Sequence, residues 1–225
     1  MTLTLADYGI GNLRSLEKAL VHIGATVHRT SDPDAVARAE KLVVPGVGAF
    51  GACADALRAH GFEAPICEAV DRGVPLLGVC VGMQLLFDGS DEMGDHAGLG
   101  LLPGRVVRFA PAEIVEDNPE GEREANGTGA LVARRLKIPH VGWTPLFAER
   151  DSPILDGVGA GAHVYFVHSY HAAPAEPRDV IASADYGGRF PAIVGRNRVF
   201  GVQFHPEKSQ GTGLRILRNF AHLSV

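Results

Sequence analysis

Cys80 lies in the run Pro75-Leu76-Leu77-Gly78-Val79-Cys80-Val81-Gly82-Met83-Gln84, a buried-strand pattern that ends in a Gly-x-Cys-x-Gly turn and enters a helix. A nucleophile on such a turn stands above its sheet with small neighbours around it. The helix that starts just beyond the thiol favours the thiolate through its N-terminal dipole. Further on, Gln203-Phe204-His205-Pro206-Glu207 sets a histidine and a carboxylate two residues apart. Read as an extended segment, the two share one face. A thiol, an imidazole to take its proton and an acid to orient the imidazole are the parts of a nucleophilic cysteine hydrolase. Each residue alone has a plainer reading: a small buried hydrophobe for Cys80, and a surface histidine beside a salt-bridged glutamate for His205 and Glu207. The glycines at 78 and 82 favour the chemical reading, because they mark a turn that needs close backbone packing.

Acyl transfer also needs backbone N–H groups aimed at the developing oxyanion. Pro45-Gly46-Val47-Gly48, at the end of another apolar run, can supply one, and Val81 N–H, just after the nucleophile, the other. Cys53 and Cys67 fall inside helical patterns without such a turn and read as packing residues. His163, His168 and His171 invite a metal reading, but strand parity sets His168 opposite the other two, so no metal is assigned. Gly9-x-Gly11 with Asp32 downstream is a weak dinucleotide signal, since Arg14 occupies the place of the third glycine. No cofactor is expected.

The elements that must position these groups alternate. Strands are expected at 3–6, 25–29 and 41–44, the last stopped by Pro45-Gly46. Asn12 reads as the N-cap of a helix with Leu13, Leu16, Leu20 and Ile23 on its apolar face and Gly24 beyond its end. Helices are expected at 51–60, at 63–72 and from about Gly82. Such alternation implies parallel crossovers and a sheet covered on both faces, with ligands at the carboxyl ends of the strands. The second half is richer in strands, at 104–109, 138–143, 164–170, 180–183, 192–194 and 199–204, with a hairpin loop at 195–198. A closing helix covers 212–222. Residues 113–124 hold six acids against one arginine, and about 111–135 is expected to be a mobile surface insertion.

With 225 residues, 46% hydrophobic and 21% charged, one α/β domain over 1–225 accounts for the chain. A net charge of −5 without basic runs argues against a nucleic-acid surface. Three cysteines without paired spacing suggest neither a disulfide framework nor a zinc ribbon. The Met1-Thr2-Leu3-Thr4-Leu5-Ala6-Asp7 start has no basic n-region, and no stretch approaches a membrane span of ~20 apolar residues, so a cytoplasmic protein is expected.

Taken together, Gly78-Val79-Cys80-Val81-Gly82-Met83-Gln84 and His205-Pro206-Glu207 resemble the signatures of class I glutamine amidotransferases. Asp7-Tyr8-Gly9-Ile10-Gly11-Asn12-Leu13-Arg14-Ser15, Pro45-Gly46-Val47-Gly48-Ala49-Phe50, Pro139-His140-Val141-Gly142-Trp143 and Tyr165-Phe166-Val167-His168-Ser169-Tyr170 look like the glutaminase subunits of imidazole glycerol phosphate synthases. The resemblance spans nearly the whole chain. It implies a flavodoxin-like, doubly wound α/β fold with a mixed, mainly parallel sheet and a β-rich second half. It implies hydrolysis of L-glutamine by Cys80, His205 and Glu207 through a thioester, in histidine biosynthesis. It implies an oxyanion hole from Val47 and Val81 that forms by a flip of the Gly46–Val47 peptide, and a substrate pocket at Gly46, Gly48, Gln84, His168, Ser169 and Tyr170. The implied partner is a (β/α)8-barrel cyclase subunit that receives the ammonia, with Asn12, Trp143 and Lys208 near the docking face. Thr144 departs from this pattern, standing where those subunits often carry Asn. The alternatives are a glutaminase serving another synthase, such as one forming pyridoxal phosphate or anthranilate, and a silent scaffolding subunit.

Overall fold

The computed structural model describes residues 1–110, 113–117 and 131–224. The first half runs β1 (Thr2–Ala6), α1 (Leu13–His22), β2 (Thr26–Thr30), α2 (Pro33–Ala37), β3 (Leu42–Gly46), α3 (Phe50–Ala59), α4 (Glu63–Asp71), β4 (Leu76–Cys80) and α5 (Val81–Gln84). Then follow β5 (Gly89–Ser90), β6 (His96–Ala97), β7 (Gly104–Arg108), β8 (Glu113–Asp117), β9 (Leu131–Arg135), β10 (His140–Pro145) and β11 (Phe147–Ala148). The chain continues through β12 (His163–His168), β13 (Tyr170–Pro174), β14 (Val180–Asp185), β15 (Arg189–Arg196), β16 (Val199–Val202) and α6 (Gln210–His222).

The main sheet has the order β11-β14-β15-β16-β4-β3-β1-β2. β2, β1, β3, β4 and β16 are mutually parallel, a doubly wound arrangement, and β15, β14 and β11 extend it antiparallel. The reason is visible in the side chains. Every residue of β3 and β4 is buried, as a strand must be when helices cover both faces of its sheet. α1 packs through Leu13, Leu16, Ala19 and Leu20, and α6 through Ile216, Leu217 and Phe220. β13, β7, β5 and β6 make a second sheet, and β10 pairs with β12 in an antiparallel ribbon. Among the described residues no helix is long and apolar enough to cross a membrane.

Several expectations are corrected. β3 runs on through Gly46, because Pro45 and Gly46 still pair with Val79 and Cys80. The run 164–170 breaks at Ser169 into β12 and β13, which belong to different sheets, so strand parity does not carry from His163 to His171. The strand ending in 199–204 stops at Val202, and a 3-10 turn, Pro206–Lys208, follows. The short α2 escaped the periodicity reading; Asp32, read as part of a weak dinucleotide signal, caps it by accepting from Asp34 N at 3.0 Å. Within the expected insertion, Glu113–Asp117 and Leu131–Arg135 form an antiparallel ladder. Such a ladder is made by backbone groups and needs no apolar run to announce it. Residues 111–112 and 118–130, the rest of the expected insertion, lie outside the described residues.

Candidate active site

Cys80 ends β4 with φ 56° and ψ −114°, a left-handed conformation that side chains rarely adopt. Packing enforces it. A Cβ on Gly78 would come within 2.5 Å of Gly82 O, one on Gly46 within 2.6 Å of Gly82 N, and one on Gly82 would collide with the Val44 carbonyl. The end of β3 therefore lies directly against the turn that carries the thiol. α5 is a single turn beginning at Val81, one residue earlier than expected, so Val81 N–H belongs to a free helix start beside the thiol.

His205 and Glu207 meet through the 3-10 turn and not through one face of a strand. His205 Nδ1 lies 2.9 Å from Glu207 Oε1, and His205 borders the same cleft as Cys80. Both members are buried. Ser209 fixes the histidine backbone: its Oγ donates to His205 O at 2.7 Å and accepts from Tyr165 N at 3.0 Å, while His205 N donates to Tyr165 O at 3.0 Å. Burial by itself would lower the His205 pKa, but bonding to Cys80 and Glu207 outweighs it and pushes the value up to about 10. Burial likewise works to raise Glu207, yet the hydrogen bond and charge of His205, with help from Asn12, lower it. The arrangement thus favours the protonated imidazole beside the Glu207 carboxylate.

Asn12 stands at the N-cap position of α1 without capping it. Its Nδ2 donates to Glu207 Oε1 at 2.9 Å instead. A residue read as a cap and as a docking residue is therefore a side-chain amide that holds the Glu207 carboxylate.

These groups line a cleft of about 500 Å3. Val47, Gly48, Cys80, Val81, Gln84, His168, Ser169, Tyr170, His205, Asn12 and Lys208 border it, whereas Gly46 lies behind, toward Glu207. Gln84 Nε2 donates to Tyr170 O at 3.0 Å and to Gln203 Oε1 at 3.1 Å, and Gln203 Nε2 lies 4.0 Å from Cys80 Sγ. Gln84 thus ties the start of β13 to the nucleophile turn. Trp143 is 45% exposed beside Val141 and Val167 on the outer face of the β10–β12 ribbon.

The inner face of that ribbon was not legible in sequence. His168 Nδ1 lies 2.8 Å from the Tyr170 carbonyl, so it carries the hydrogen, and Nε2 accepts from His140 Nδ1 at 3.1 Å. His140 Nε2 in turn accepts from Thr144 Oγ1 at 2.8 Å. Burial lowers both imidazoles, His140 to about 4 and His168 to about 3. Two neutral rings with fixed tautomers therefore stand behind the pocket segment, and Thr144 completes their chain. Glu92 was also missed. It borders the cleft and accepts from Phe50 N, the first residue of α3, at 2.6 Å, which gives the cleft a carboxylate able to meet an ammonium. Only its place shortly after the nucleophile helix could have signalled it.

A doubly wound sheet with a cysteine on a strained strand-to-helix turn, beside a buried histidine and glutamate, is an arrangement suited to nucleophilic hydrolysis. The family model described as "Glutamine amidotransferase class-I" matches residues 4–223, and the chain belongs to that family. Among curated relatives, "Imidazole glycerol phosphate synthase subunit HisH" of Salinibacter ruber is 54% identical over 220 residues, covering 98% of this chain and 94% of the relative. The subunit of the same name from Syntrophotalea carbinolica is 48% identical, covering 98% of this chain and all of the relative, 100%. Within the family, the chain belongs with these HisH subunits. A solved structure titled "Structure of PurLQS from Thermotoga maritima" shares the fold with TM-score 0.68 at 19% identity, covering 98% of this chain and 97% of that one.

Proposed function

We propose that this chain is the glutaminase subunit of imidazole glycerol phosphate synthase, hydrolysing L-glutamine to glutamate and ammonia for a cyclase subunit. The observation that carries the reading is the buried Cys80, His205 and Glu207 set, with Cys80 and His205 lining a cleft large enough for an amino acid. Cys80, as thiolate, attacks the side-chain amide carbon. Val47 and Val81 N–H receive the oxyanion. His205 gives its proton to the departing nitrogen, leaving ammonia and a glutamyl thioester on Cys80. His205, now neutral, takes a proton from water, which cleaves the thioester and regenerates the pair. Glu207 keeps the imidazole oriented throughout.

Gln84, Gly48, His168, Ser169 and Tyr170 shape the glutamine pocket, and Glu92 suits the α-ammonium. Gly46 supports the oxyanion segment from behind. The cyclase subunit, taken as a (β/α)8 barrel, docks at the exposed face of Trp143, Val141 and Val167, close to Lys208, and receives ammonia from the cleft. The chain acts as one amidotransferase domain over 1–225.

The test is glutamate release from L-glutamine by the chain with a cognate cyclase and its ribotide ligand, alongside Cys80→Ala. Release that depends on Cys80 and on that partner is expected. Turnover only with a different synthase would reassign the partner, and release undiminished in Cys80→Ala would sink the mechanism.

A further inference from the structure

Two buried, titratable side chains that the mechanism does not use converge on the oxyanion segment. Tyr8, fully buried just after β1, donates its hydroxyl to the Pro45 carbonyl. Its ring is braced edge-on against the buried Phe62, with centroids 6.4 Å apart. Cys53, fully buried in the first turn of α3, directs Sγ to the Val47 carbonyl at 3.2 Å. The Pro45 carbonyl belongs to the peptide before Gly46, and the Val47 carbonyl to the peptide after Val47. The peptide between them, Gly46–Val47, is held by neither side chain.

That middle peptide also has room. On one side Val47 borders the substrate cleft, and on the other Gly46 and Val47 border a small cavity shared with Asn12, His205 and Glu207, about the size of one water. Glu207 Oε2 has no hydrogen-bond partner among the described residues. A peptide can rotate about its neighbours only if those neighbours stay put and both faces are open. Gly48, at φ +87° with open space where a Cβ would stand, supplies the adjoining hinge. Burial raises Cys53 to about 11 and raises Tyr8 as well, so both keep the hydrogens they donate at neutral pH.

We propose that Tyr8 and Cys53 are positioning residues: they clamp the two carbonyls that flank the Gly46–Val47 peptide, so that this single peptide is the one that aims its N–H at the developing oxyanion. The clamp rests on the glutaminase reading of the site. Without it, rotation spreads into the neighbouring peptides and the Val47 N–H is aimed less often, while glutamine contacts at Gln84, Glu92 and Tyr170 are untouched.

The experiment compares wild type, Tyr8→Phe, Cys53→Ala and Cys53→Ser, each assembled with the cyclase subunit, by kcat and KM for glutamate release. In parallel, alkylation of Cys80 by iodoacetamide is followed by mass spectrometry of its peptide, which separates it from Cys53 and Cys67. Deleting a whole oxyanion donor typically costs about 100–1000-fold, so loosening one is expected to cost about 10-fold in kcat. KM should stay within about twofold, and Cys53→Ser, which keeps a donor, should recover most of kcat. Alkylation develops no oxyanion and should proceed at the wild-type rate in every variant. Unchanged kcat in both Tyr8→Phe and Cys53→Ala would overturn the clamp, as would parallel loss of kcat and alkylation, which would indicate general damage to the triad. A wild-type complex that alkylates normally yet releases no glutamate would instead refute the glutaminase reading, and the clamp with it.

Discussion

Replacing Cys80 by glycine should make the protein more stable than replacing it by alanine. Ordinarily Ala→Gly costs about 0.5–1 kcal/mol, because glycine has more freedom to lose on folding. At Cys80 the sign should reverse. The backbone sits at φ 56° and ψ −114°, where any Cβ carries strain of about 1–3 kcal/mol. The unusual ψ places it toward the upper end of that range. Against this stand the glycine entropy and the lost burial of one methyl group, about 0.8 kcal/mol. The remainder is about 1 kcal/mol in favour of Cys80→Gly, which for a chain of this size moves the melting temperature by roughly 2–4 °C. Thermal unfolding of the two inactive variants, by calorimetry under identical conditions, reads the difference with the lost thiol common to both. A Cys80→Gly protein that melts with or below Cys80→Ala would refute the claim that the nucleophile turn stores backbone strain.

Two other outcomes follow from the site. His140 and His168 are held neutral, below the usual histidine pKa of about 6.5, at about 4 and about 3. Their stabilising contribution is therefore complete above pH 6.5 and is lost as pH falls toward those values, on the order of 2 kcal/mol for each between pH 7 and 5. Urea unfolding at both pH values should show wild type losing more stability than His140→Gln; equal losses would contradict the buried neutral pair. His205, raised in pKa, contributes with the opposite slope, its share being lost only as pH rises toward 10, and it is common to both proteins. Asn12→Ala removes the amide that holds Glu207 Oε1 at 2.9 Å and should lower kcat about 10-fold with little change in KM. Asn12→Asp should be worse, since it sets a second carboxylate against Glu207; steady-state glutaminase kinetics with wild-type values for both would remove Asn12 from the site.

Features decided within a few residues were legible before the chain was folded. Gly78 and Gly82 around Cys80 specify the nucleophile turn, and the apolar runs 42–44 and 76–79 specify strands buried on both faces. The spacing of Leu13, Leu16 and Leu20 specifies a packed helix, and His205 and Glu207 are close enough in the chain to meet across a strand face or a tight turn, though not on an α-helix. Legibility failed where local geometry changed without a compositional sign. The ribbon break at Ser169 defeated the parity argument for the histidines, and the 3-10 turn replaced the strand expected to align His205 with Glu207.

Which polar atoms face each other across long separations follows from the packing of the whole chain. Asn12 and Glu207 are 195 residues apart, and Tyr8 and Pro45 are 37 apart. These bonds exist because the sheet order brings the carboxyl ends of β1, β3 and β4 to one edge and returns β16 beside β4. A side-chain hydrogen bond needs its partners within about 3 Å and correctly aimed. No residue's type reveals which distant carbonyl will stand there, so Tyr8 and Cys53 look like packing residues until the chain has folded around Val47.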